Sequence, residues 1–331
     1  MPTAFLTGAT GFVGGHVARA LVTEGWTVRV LARDPERARR GLLEGLPVQI
    51  FPGSLSELDG LVSAVADVDA VVHLAGLVKA RSLDGYREVN VRGTEQMLNA
   101  ALRGAPRALF LLVSSQAAGG PCREGRPVSG EDPARPISWY GQSKREAEEA
   151  VARLWRGDWI VLRPGVIYGP GDRGLFLYFR MAAAGWIPVP AGAARVQVIG
   201  AERAALAIAR AASRRDLAGL VGFLSDTEPV TVEGLARKIA ALPRRRARLI
   251  RVPNGVVRAL GAAESAVERL TGRSQPFNAD KAREILAGDW VCDGSATSRL
   301  LDLPEPVPLD EGLRATWEWY RRAGWLPGAA L

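Results

Sequence analysis

Cysteine and histidine are scarce in this chain of 331 residues, which contains two of each. Cys122 and Cys292 lie far apart, and the sequence has no CxxC pair and no cluster of histidine and cysteine. These absences exclude a disulfide framework and a zinc-finger type of site. We therefore expect no metal, and a reducing, cytoplasmic environment suits the chain best.

Long apolar runs are also lacking, because none approaches the roughly 20 residues that a membrane-spanning helix needs. The first strand candidate begins at residue 3, so we expect no signal peptide and no membrane partner. Only four of the 43 basic residues are lysines, and arginine is spread along the chain to give a net charge of +8. The dense basic runs at 37–40 and 244–248 are more typical of a solvated face than of a nucleic-acid site, so no nucleic-acid partner is expected.

The first half of the sequence alternates apolar strand candidates with helical patterns. Strands are predicted at 4–6, 27–32, 48–51, 70–74, 108–113 and 159–162, and helices at 17–22, 35–43, 57–66, 86–103 and 138–155. This alternation predicts an α/β fold with a doubly wound parallel sheet that is covered by helices on both faces. Its ligand crevice should lie at the carboxyl ends of the strands.

The rhythm changes after Pro164, where prolines and glycines cluster and the later elements become shorter and mostly helical. We predict a main domain over residues 1–165 and a smaller, mostly helical substrate lobe over 166–195 and 226–331. A strand at 220–224 follows a helix at 201–212 and is expected to return to the main sheet. Residues 196–225 would therefore rejoin the main domain.

A glycine-rich turn, Thr7-Gly8-Ala9-Thr10-Gly11-Phe12-Val13-Gly14, connects the first strand to the first helix. The start of a helix offers free backbone N–H groups to a phosphate, and glycines let a ligand approach the backbone closely. A dinucleotide is therefore the first ligand to consider. Glycine alone is a weak signal, since any tight turn between a strand and a helix can use it.

Tyr140 and Lys144 are four residues apart in a predicted helix, so their side chains project from one face. A free tyrosine has a pKa near 10, and a nearby ammonium group is expected to lower the pKa of Tyr140 towards the working range. Ser115 follows the strand at 108–113 and could hold a substrate oxygen, although a serine there also caps strand ends. The segment 162–170 leaves another strand end near the same place.

These segments, in this order, resemble the extended short-chain dehydrogenase/reductases, the NAD-dependent epimerase/dehydratase superfamily. The resemblance covers nearly the whole chain and includes the TGxxGxxG turn, the HLAG segment at 73–76, the NVRGT segment at 90–94, the Ser115 strand end, YxxxK and the RPxxxYGP segment at 163–170. Residues 33–35 and 290–293 are most similar to the branch of dihydroflavonol reductases and 3β-hydroxysteroid dehydrogenases. The resemblance implies a Rossmann sheet and NAD(P)-dependent redox chemistry.

The resemblance also implies roles for individual residues. Tyr140 would be the general acid/base, Lys144 would lower its pKa and hold the nicotinamide ribose, and Ser115 would bind the reacting oxygen. Asn90 would brace the HLAG turn, and His73 is expected to be structural. The expected cofactor-binding residues are Gly8, Thr10, Gly11, Phe12, Val13, Gly14, Arg33, Arg37, Ser54, Leu55, Leu74, Ala75, Gly76, Tyr140, Lys144, Pro164, Gly165 and Val166.

The end of the second strand favours NADP(H), with NAD(H) still possible. Members that bind NAD place an acidic residue there, and this chain has Ala32 followed by Arg33, whose guanidinium suits a 2'-phosphate. Arg37 would add charge from the next helix. Asp34 keeps NAD(H) open, since a strand one residue longer would place a carboxylate near the ribose. Ser54 stands where the family usually has an aspartate near the adenine.

The expected reaction interconverts a hydroxyl and a ketone or aldehyde on a medium-sized organic molecule. The sequence has Ser115-Gln116-Ala117 in place of the Thr-Asp-Glu run of dehydratases, and Val166 in place of an asparagine common in epimerases. Two alternatives stay open: a nucleotide-sugar epimerase with tightly bound NAD(P), and a non-catalytic NADP-binding scaffold or sensor. The tyrosine helix carries a polar face of residues 145–149, so a monomer or a homodimer is expected.

Overall fold

A parallel sheet of seven strands forms the centre of the molecule, in a computed structural model that describes residues 1–122, 125–226, 228–271 and 277–326. The strands along these ranges are β1 (Thr3–Thr7), β2 (Thr27–Ala32), β3 (Val48–Pro52), β4 (Ala70–His73), β5 (Leu109–Val113), β6 (Trp159–Pro164), β7 (Val166–Tyr168), β8 (Trp186–Pro190), β9 (Arg195–Val196), β10 (Val198–Gly200), β11 (Val221–Leu224), β12 (Val230–Thr231) and β13 (Arg248–Val252). The central sheet has the order β11-β6-β5-β4-β1-β2-β3. The predicted doubly wound sheet is confirmed.

The helices follow the predicted pattern closely in the first half. They are α1 (Phe12–Thr23), α2 (Pro35–Arg39), α3 (Leu58–Ala64), α4 (Leu83–Arg87), α5 (Gly93–Gly104), α6 (Gln116–Gly119), α7 (Trp139–Leu154), α8 (Phe176–Ala183), α9 (Ala201–Ala211), α10 (Val232–Ala240), α11 (Asn254–Thr271), α12 (Ala279–Ile285), α13 (Ser295–Leu300) and α14 (Leu309–Arg322). A π-helical segment, Glu88–Arg92, joins α4 to α5, so the predicted helix at 86–103 is interrupted. A 3-10 turn occupies Arg215–Leu217.

The sheet is buried on both faces because its central strands are apolar throughout. Every residue of β4 and β5 is buried, as expected for parallel strands covered on two sides. One apolar layer includes residues of α1 and α9, and the opposite layer includes residues of α3, α5 and α7. The strand order reverses at β1, which pairs with β2 on one side and β4 on the other. This switch point opens a crevice at the carboxyl ends of β1 and β4.

Strand β11 returns to the main sheet, as the sequence predicted, and pairs in parallel with β6. Helix α9, which precedes it, packs against α1. A third apolar cluster includes Tyr168, Phe179, Leu235, Leu313 and Tyr320, all from the stretches assigned to the substrate lobe. The cluster also contains Val198, from the stretch 196–225, so the division into 1–165 with 196–225, and 166–195 with 226–331, stays a proposal.

The lobe contains more strand than the sequence suggested. Three short pairs are formed by β7 with β10, β9 with β12, and β8 with β13. Parts of the predicted lobe, residues 227, 272–276 and 327–331, lie outside the described ranges, as do residues 123–124 beside the predicted substrate site. Within the part of the chain that the structure describes, no helix is both long and apolar enough to cross a membrane.

Candidate active site

The glycine turn holds β1 and α1 so closely together that side chains would not fit. Gly8 has φ +75°, and a Cβ there would lie 2.8 Å from the backbone nitrogen of Ala75. A Cβ on Gly14 would lie only 2.1 Å from the carbonyl oxygen of Gly8. Gly11 is the N-cap of α1, and no side chain bonds to this helix start or places an acid in its first turn. The turn therefore leaves helix N–H groups free for an anion such as a pyrophosphate.

The remaining predicted residues of the turn lie around its rim. Thr10 is exposed, whereas Phe12 and Val13 are half-buried at the start of α1. The Phe12 ring stands edge-on to His16, with 5.5 Å between the ring centroids. His16 in turn hydrogen-bonds the carbonyl of Pro170 at 2.9 Å. The turn is thereby joined to the segment that follows β7.

Strand β2 ends at Ala32, and the next two residues, Arg33 and Asp34, differ in their contacts. Asp34 is the N-cap of α2, and its Oδ1 accepts a hydrogen bond of 3.0 Å from the backbone N–H of Arg37. Arg33 and Arg37 are exposed, and neither forms an ion pair with another described residue. The carboxylate that kept NAD(H) open at the sequence level is therefore engaged in capping a helix.

Ser54 and Leu55 follow β3 at the neighbouring strand end. The Ser54 hydroxyl donates to Oε1 of Glu57 at 2.9 Å. Glu57 is an acid that sequence reasoning missed, and it stands near the place where the family usually has an aspartate. The Leu55 side chain packs on α5, since a Cβ on Gly93 would lie 2.9 Å from its Cδ1.

The predicted segment Leu74, Ala75 and Gly76 leaves β4 beside the glycine turn. The hydroxyl of Thr7 accepts from the backbone N–H of Ala75 at 3.1 Å and bonds Nδ1 of His73 at 2.7 Å. The other ring nitrogen of His73 bonds the Thr94 hydroxyl at 3.1 Å. Burial, together with the smaller effect of the charge on Lys144, lowers the pKa of His73 to about 3. His73 is therefore neutral and structural, as predicted.

Asn90 braces the loop after Gly76, as the resemblance implied. Its Oδ1 accepts from the backbone N–H of Leu77 at 2.7 Å, and its Nδ2 donates to the Leu77 carbonyl at 3.1 Å. Nδ2 also donates to the hydroxyl of Ser143 at 2.9 Å. Asn90 lies in the π-helical segment, a type of local widening that often marks functional sites. This one side chain connects the loop after β4 to the tyrosine helix α7.

Ser115 and Tyr140 meet at the crevice. Ser115 follows β5 and is the N-cap of α6, where its oxygen accepts from the backbone N–H of Ala117 at 3.1 Å. The same side chain hydrogen-bonds the Tyr140 phenol. The capping role considered for this serine is therefore confirmed, and its role in holding a substrate oxygen stays a prediction.

The pKa of Tyr140 moves in the direction opposite to the one expected from the sequence. The pKa of the phenol is raised to about 12, chiefly by burial; the bond with Ser115 acts in the lowering direction, and Glu284 and Tyr86 act in the raising direction. Desolvation of the phenolate exceeds any effect of the neighbouring ammonium group. Tyr140 is therefore protonated at neutral pH.

Lys144 lies one turn along α7 and points into the sheet. Its Nζ donates to the carbonyl oxygen of Val113, at the end of β5, at 2.8 Å. Burial lowers the pKa of this ammonium group to about 8, although Glu148 acts in the opposite direction. A Cβ on Gly76 would lie 3.9 Å from Nζ, so the lysine borders the predicted cofactor segment after β4.

Glu148 is buried, which corrects its assignment to the polar face of the tyrosine helix. It forms an ion pair with Arg163 at 2.6 Å and accepts from the Ser114 hydroxyl at 2.5 Å. Arg163 carries the charge that keeps a buried carboxylate stable between α7 and β6. Glu148 lies four residues after Lys144, so the two side chains project from the same face of α7. This spacing was the sequence signal for the inward position of Glu148.

Two acidic residues from the C-terminal lobe cover the start of α7, and sequence reasoning missed both. Asp280 accepts from the backbone N–H of Trp139 at 3.0 Å, and Glu284 accepts from the Ser138 hydroxyl. Tyr86 adds a ring 5.9 Å from that of Tyr140. These residues are more than 50 positions from Tyr140 in sequence, so no local pattern could have revealed them.

Pro164, Gly165 and Val166 lie where β6 passes into β7. The backbone N–H of Gly165 donates to Leu224 at 2.9 Å, and that of Val166 donates to Gln197 at 3.1 Å. A Cβ on Gly165 would lie 2.9 Å from the Gln197 carbonyl oxygen, so glycine is needed for this close approach. The side chain of Val166 remains exposed.

The donor set fits a nicotinamide dinucleotide. The glycine turn and the uncapped start of α1 follow β1, and Arg33 and Arg37 follow the neighbouring strand β2. Tyr140 and Lys144 lie on the other side of β1, near the end of β5. Residues 4–213 match the NAD dependent epimerase/dehydratase family. The chain belongs to this family.

Several relatives are named as reductases or dehydrogenases, and this chain is likewise an oxidoreductase of the extended short-chain dehydrogenase/reductase type. It is 36% identical to a ceramide reductase of Caulobacter vibrioides, over 97% of this chain and 95% of that one. It is 27% identical to a 3 beta-hydroxysteroid dehydrogenase/Delta 5-->4-isomerase of Mycobacterium tuberculosis, over 71% and 67% of the two chains. The solved structure of MoeE5 with UDP-glucuronic acid and NAD has the same fold, with a TM-score of 0.76, 23% identity and coverage of 97% and 99%.

Proposed function

We propose that this enzyme is an NADP(H)-dependent reductase that converts a ketone on a lipid of the ceramide type into a hydroxyl, with Tyr140 as the general acid. The observation that carries the proposal is the hydrogen-bonded pair of Ser115 and Tyr140 beyond the carboxyl end of β5, the strand next to β4 in the sheet. A phenol whose pKa is raised to about 12 holds its proton at neutral pH. Reduction needs such a proton donor, because the carbonyl oxygen gains a proton as its carbon gains hydride.

The substrate oxygen would lie between the Ser115 hydroxyl and the Tyr140 phenol. When bound, a reduced nicotinamide would supply the hydride to the carbonyl carbon. Ser115 holds the oxygen and Tyr140 donates its proton to it, which yields the alcohol. The ammonium group of Lys144 stabilises the phenolate that remains, and Asn90 and Ser143 hold the tyrosine helix against the loop after β4.

The end of β2 supports NADP(H) as the cofactor. Arg33 directly follows the strand and is free to pair with a 2'-phosphate, for which a guanidinium provides matching donors. Asp34 would have to accept from the ribose hydroxyls of NAD(H), but its carboxylate caps α2. Both observations favour the phosphorylated cofactor.

The lipid character of the substrate is supported by the ceramide reductase relative and by the residues near the site. Three large apolar side chains near the site remain exposed: Leu77, Trp139 and Val166. Leu77 lies in the loop that Asn90 braces, and Trp139 precedes Tyr140 in the chain. Apolar side chains exposed at a crevice favour an apolar ligand. A charged nucleotide sugar has no comparable support from these positions.

The replacement Tyr140→Phe tests the proposal. It removes the donated proton and keeps the ring, so turnover of a keto derivative of ceramide with NADPH should fall about 10²- to 10⁴-fold. Binding of NADPH, followed by its fluorescence, should stay within about tenfold of the parent value, since a single neutral hydrogen bond contributes about 1 kcal/mol.

Tyr86→Phe is the matched control, because it makes the same chemical change in the adjacent ring. Its hydroxyl bonds the backbone of the loop after β4, at Val78 with a long distance of 3.4 Å and at Ala80, and not the reacting groups, so turnover of this variant should change little. Equal losses in the two variants would show that the phenol of Tyr140 has no special role. Full activity of Tyr140→Phe would refute the mechanism outright.

A further inference from the structure

The positive charge of this protein is concentrated in one stretch of the lobe. Residues 234–263 contain eight arginines and lysines and no acidic residue, and the rest of the chain carries 35 basic and 35 acidic side chains. The stretch therefore accounts for the whole net charge of +8. Arg244, Arg245, Arg246 and Arg248 are all exposed, and none forms an ion pair with another described residue.

Helix α11 follows these arginines and carries an exposed apolar stripe. Val256, Leu260, Val267 and Leu270 are 46%, 53%, 41% and 86% exposed, and Ala263 is exposed between them. At 3.6 residues per turn these five positions fall within an arc of about 80°. The stripe runs along most of a helix that is about 27 Å long. Scattered apolar residues need no explanation, but a continuous stripe does.

The opposite face of α11 is buried against the elements that cover the active site. A Cβ on Gly261 would lie 2.7 Å from the Cβ of Ala282 in α12. Helix α12 in turn supplies Asp280, which binds the backbone at the start of the tyrosine helix. Helices α11 and α12 therefore form a layer that covers the active site, and the apolar stripe lies on the outer surface of this layer.

Two further apolar residues lie on the ribbon that leads into α11. Ile250 in β13 is 49% exposed, and Trp186 in β8 is 44% exposed. β13 begins at Arg248, so the arginines precede the helix by six to ten residues, which is about 20 to 34 Å of fully extended chain. Arginine next to aliphatic and tryptophan side chains is typical of segments that lie in a membrane interface.

We propose that this surface, the apolar stripe of α11 with Arg244 to Arg246 and Arg248, binds the face of an anionic lipid membrane. Aliphatic side chains would enter the boundary between headgroups and acyl chains, and the arginines would pair with lipid phosphates. The inference goes beyond the proposed reaction and does not depend on it. It also revises the expectation, drawn from the lack of long apolar runs and of a signal peptide, that the protein has no membrane partner.

A membrane fits this surface better than a second copy of the chain does. Two copies meeting through a shared axis would bring the same unpaired arginines together, and like charges across an interface are unfavourable. A nucleic acid would pair with the arginines but would leave the aliphatic stripe exposed to water. Only a lipid surface provides anionic and apolar groups together.

Sedimentation with vesicles tests the proposal on the full chain. The protein should bind vesicles of equal parts phosphatidylcholine and phosphatidylglycerol and should bind pure phosphatidylcholine much more weakly. The triple replacement Val256→Ser, Leu260→Ser and Val267→Ser should lower the partition coefficient at least about tenfold. The double replacement Arg245→Gln and Arg246→Gln should lower it about 25-fold, since each arginine near an anionic surface contributes about a factor of five.

The matched controls change exposed residues of the same types elsewhere. Leu300→Ser with Val307→Ser removes two apolar side chains that are 40% and 59% exposed, and Arg103→Gln with Arg156→Gln removes two exposed charges. Both should bind vesicles like the parent, and all variants should show the parent circular dichroism and melting temperature. Absence of vesicle binding by the parent, or equal losses in the controls, would overturn the proposal. A parent dimer that the stripe replacements dissociate, without vesicle binding, would assign the surface to self-association instead.

Discussion

His73 is a residue whose charge is set entirely by its surroundings. It is fully buried between Thr7 and Thr94, and its pKa is lowered from 6.5 to about 3. The folded protein therefore binds fewer protons than the unfolded chain between these two pH values. The stabilising contribution of neutral His73 is complete above pH 6.5 and is lost as the pH falls towards 3.

The replacement His73→Gln should remove this part of the acid sensitivity. Between pH 7 and pH 4.5 the parent should lose about 2–3 kcal/mol of unfolding free energy through His73, and the variant should lose that much less over the same interval. Urea unfolding at the two pH values measures the difference, and other titrating groups cancel because they are common to both proteins. An unchanged pH dependence in the variant would mean that His73 does not titrate as its burial requires.

At the scale of elements, the tyrosine helix α7 is connected to β6 by one buried ion pair. Arg163 and Glu148 have side chains that are 1% and 3% exposed, and they are joined by two hydrogen bonds of 2.9 and 2.6 Å. Removing one partner leaves the other charge buried without compensation. Removing both leaves an apolar contact, which often restores stability.

Arg163→Met should therefore lower the unfolding free energy by about 3–5 kcal/mol, and adding Glu148→Leu should recover a large part of the loss. Denaturant unfolding of the two single variants and the double variant measures the coupling. Arg153→Met is the control, because its pair with Glu95 is exposed and should contribute at most about 1 kcal/mol. Simple additivity of the two buried replacements would contradict this account of the pair.

At the scale of the whole molecule, binding of the cofactor should stabilise the native state. A ligand at 100 times its Kd adds about 2.7 kcal/mol to the free energy of unfolding, and the gain increases as the Kd falls. Because NADPH is the proposed cofactor and should have the lower Kd, it should raise the melting temperature more than NADH at equal concentration. Arg33→Ser should abolish the difference, whereas Arg40→Ser, at the opposite end of the short helix α2, should leave it intact. Stabilisation by a UDP-sugar without NADPH would instead favour the epimerase alternative.

Local sequence determined the part of the site that depends on contacts between neighbours in the chain. The glycine turn, the strand ends and the YxxxK spacing each depend on a few consecutive residues, because sterics and helix geometry act over that range. The central strands were predicted to within about two residues because parallel strands buried on both faces must be apolar throughout. The order of the segments that resemble the family, from the glycine turn to the RPxxxYGP segment, then indicated which strand ends would meet.

The tertiary structure decided which groups are removed from water. Burial raises the pKa of Tyr140 and makes Glu148 a buried partner of Arg163, and packing of α12 places Asp280 at the start of α7. The pattern of α11 indicates an amphipathic helix, but only its packing on α12 shows that an aliphatic face remains outside. Such outcomes depend on residues far apart in the chain, because desolvation is a property of everything that surrounds a group and not of its sequence neighbours.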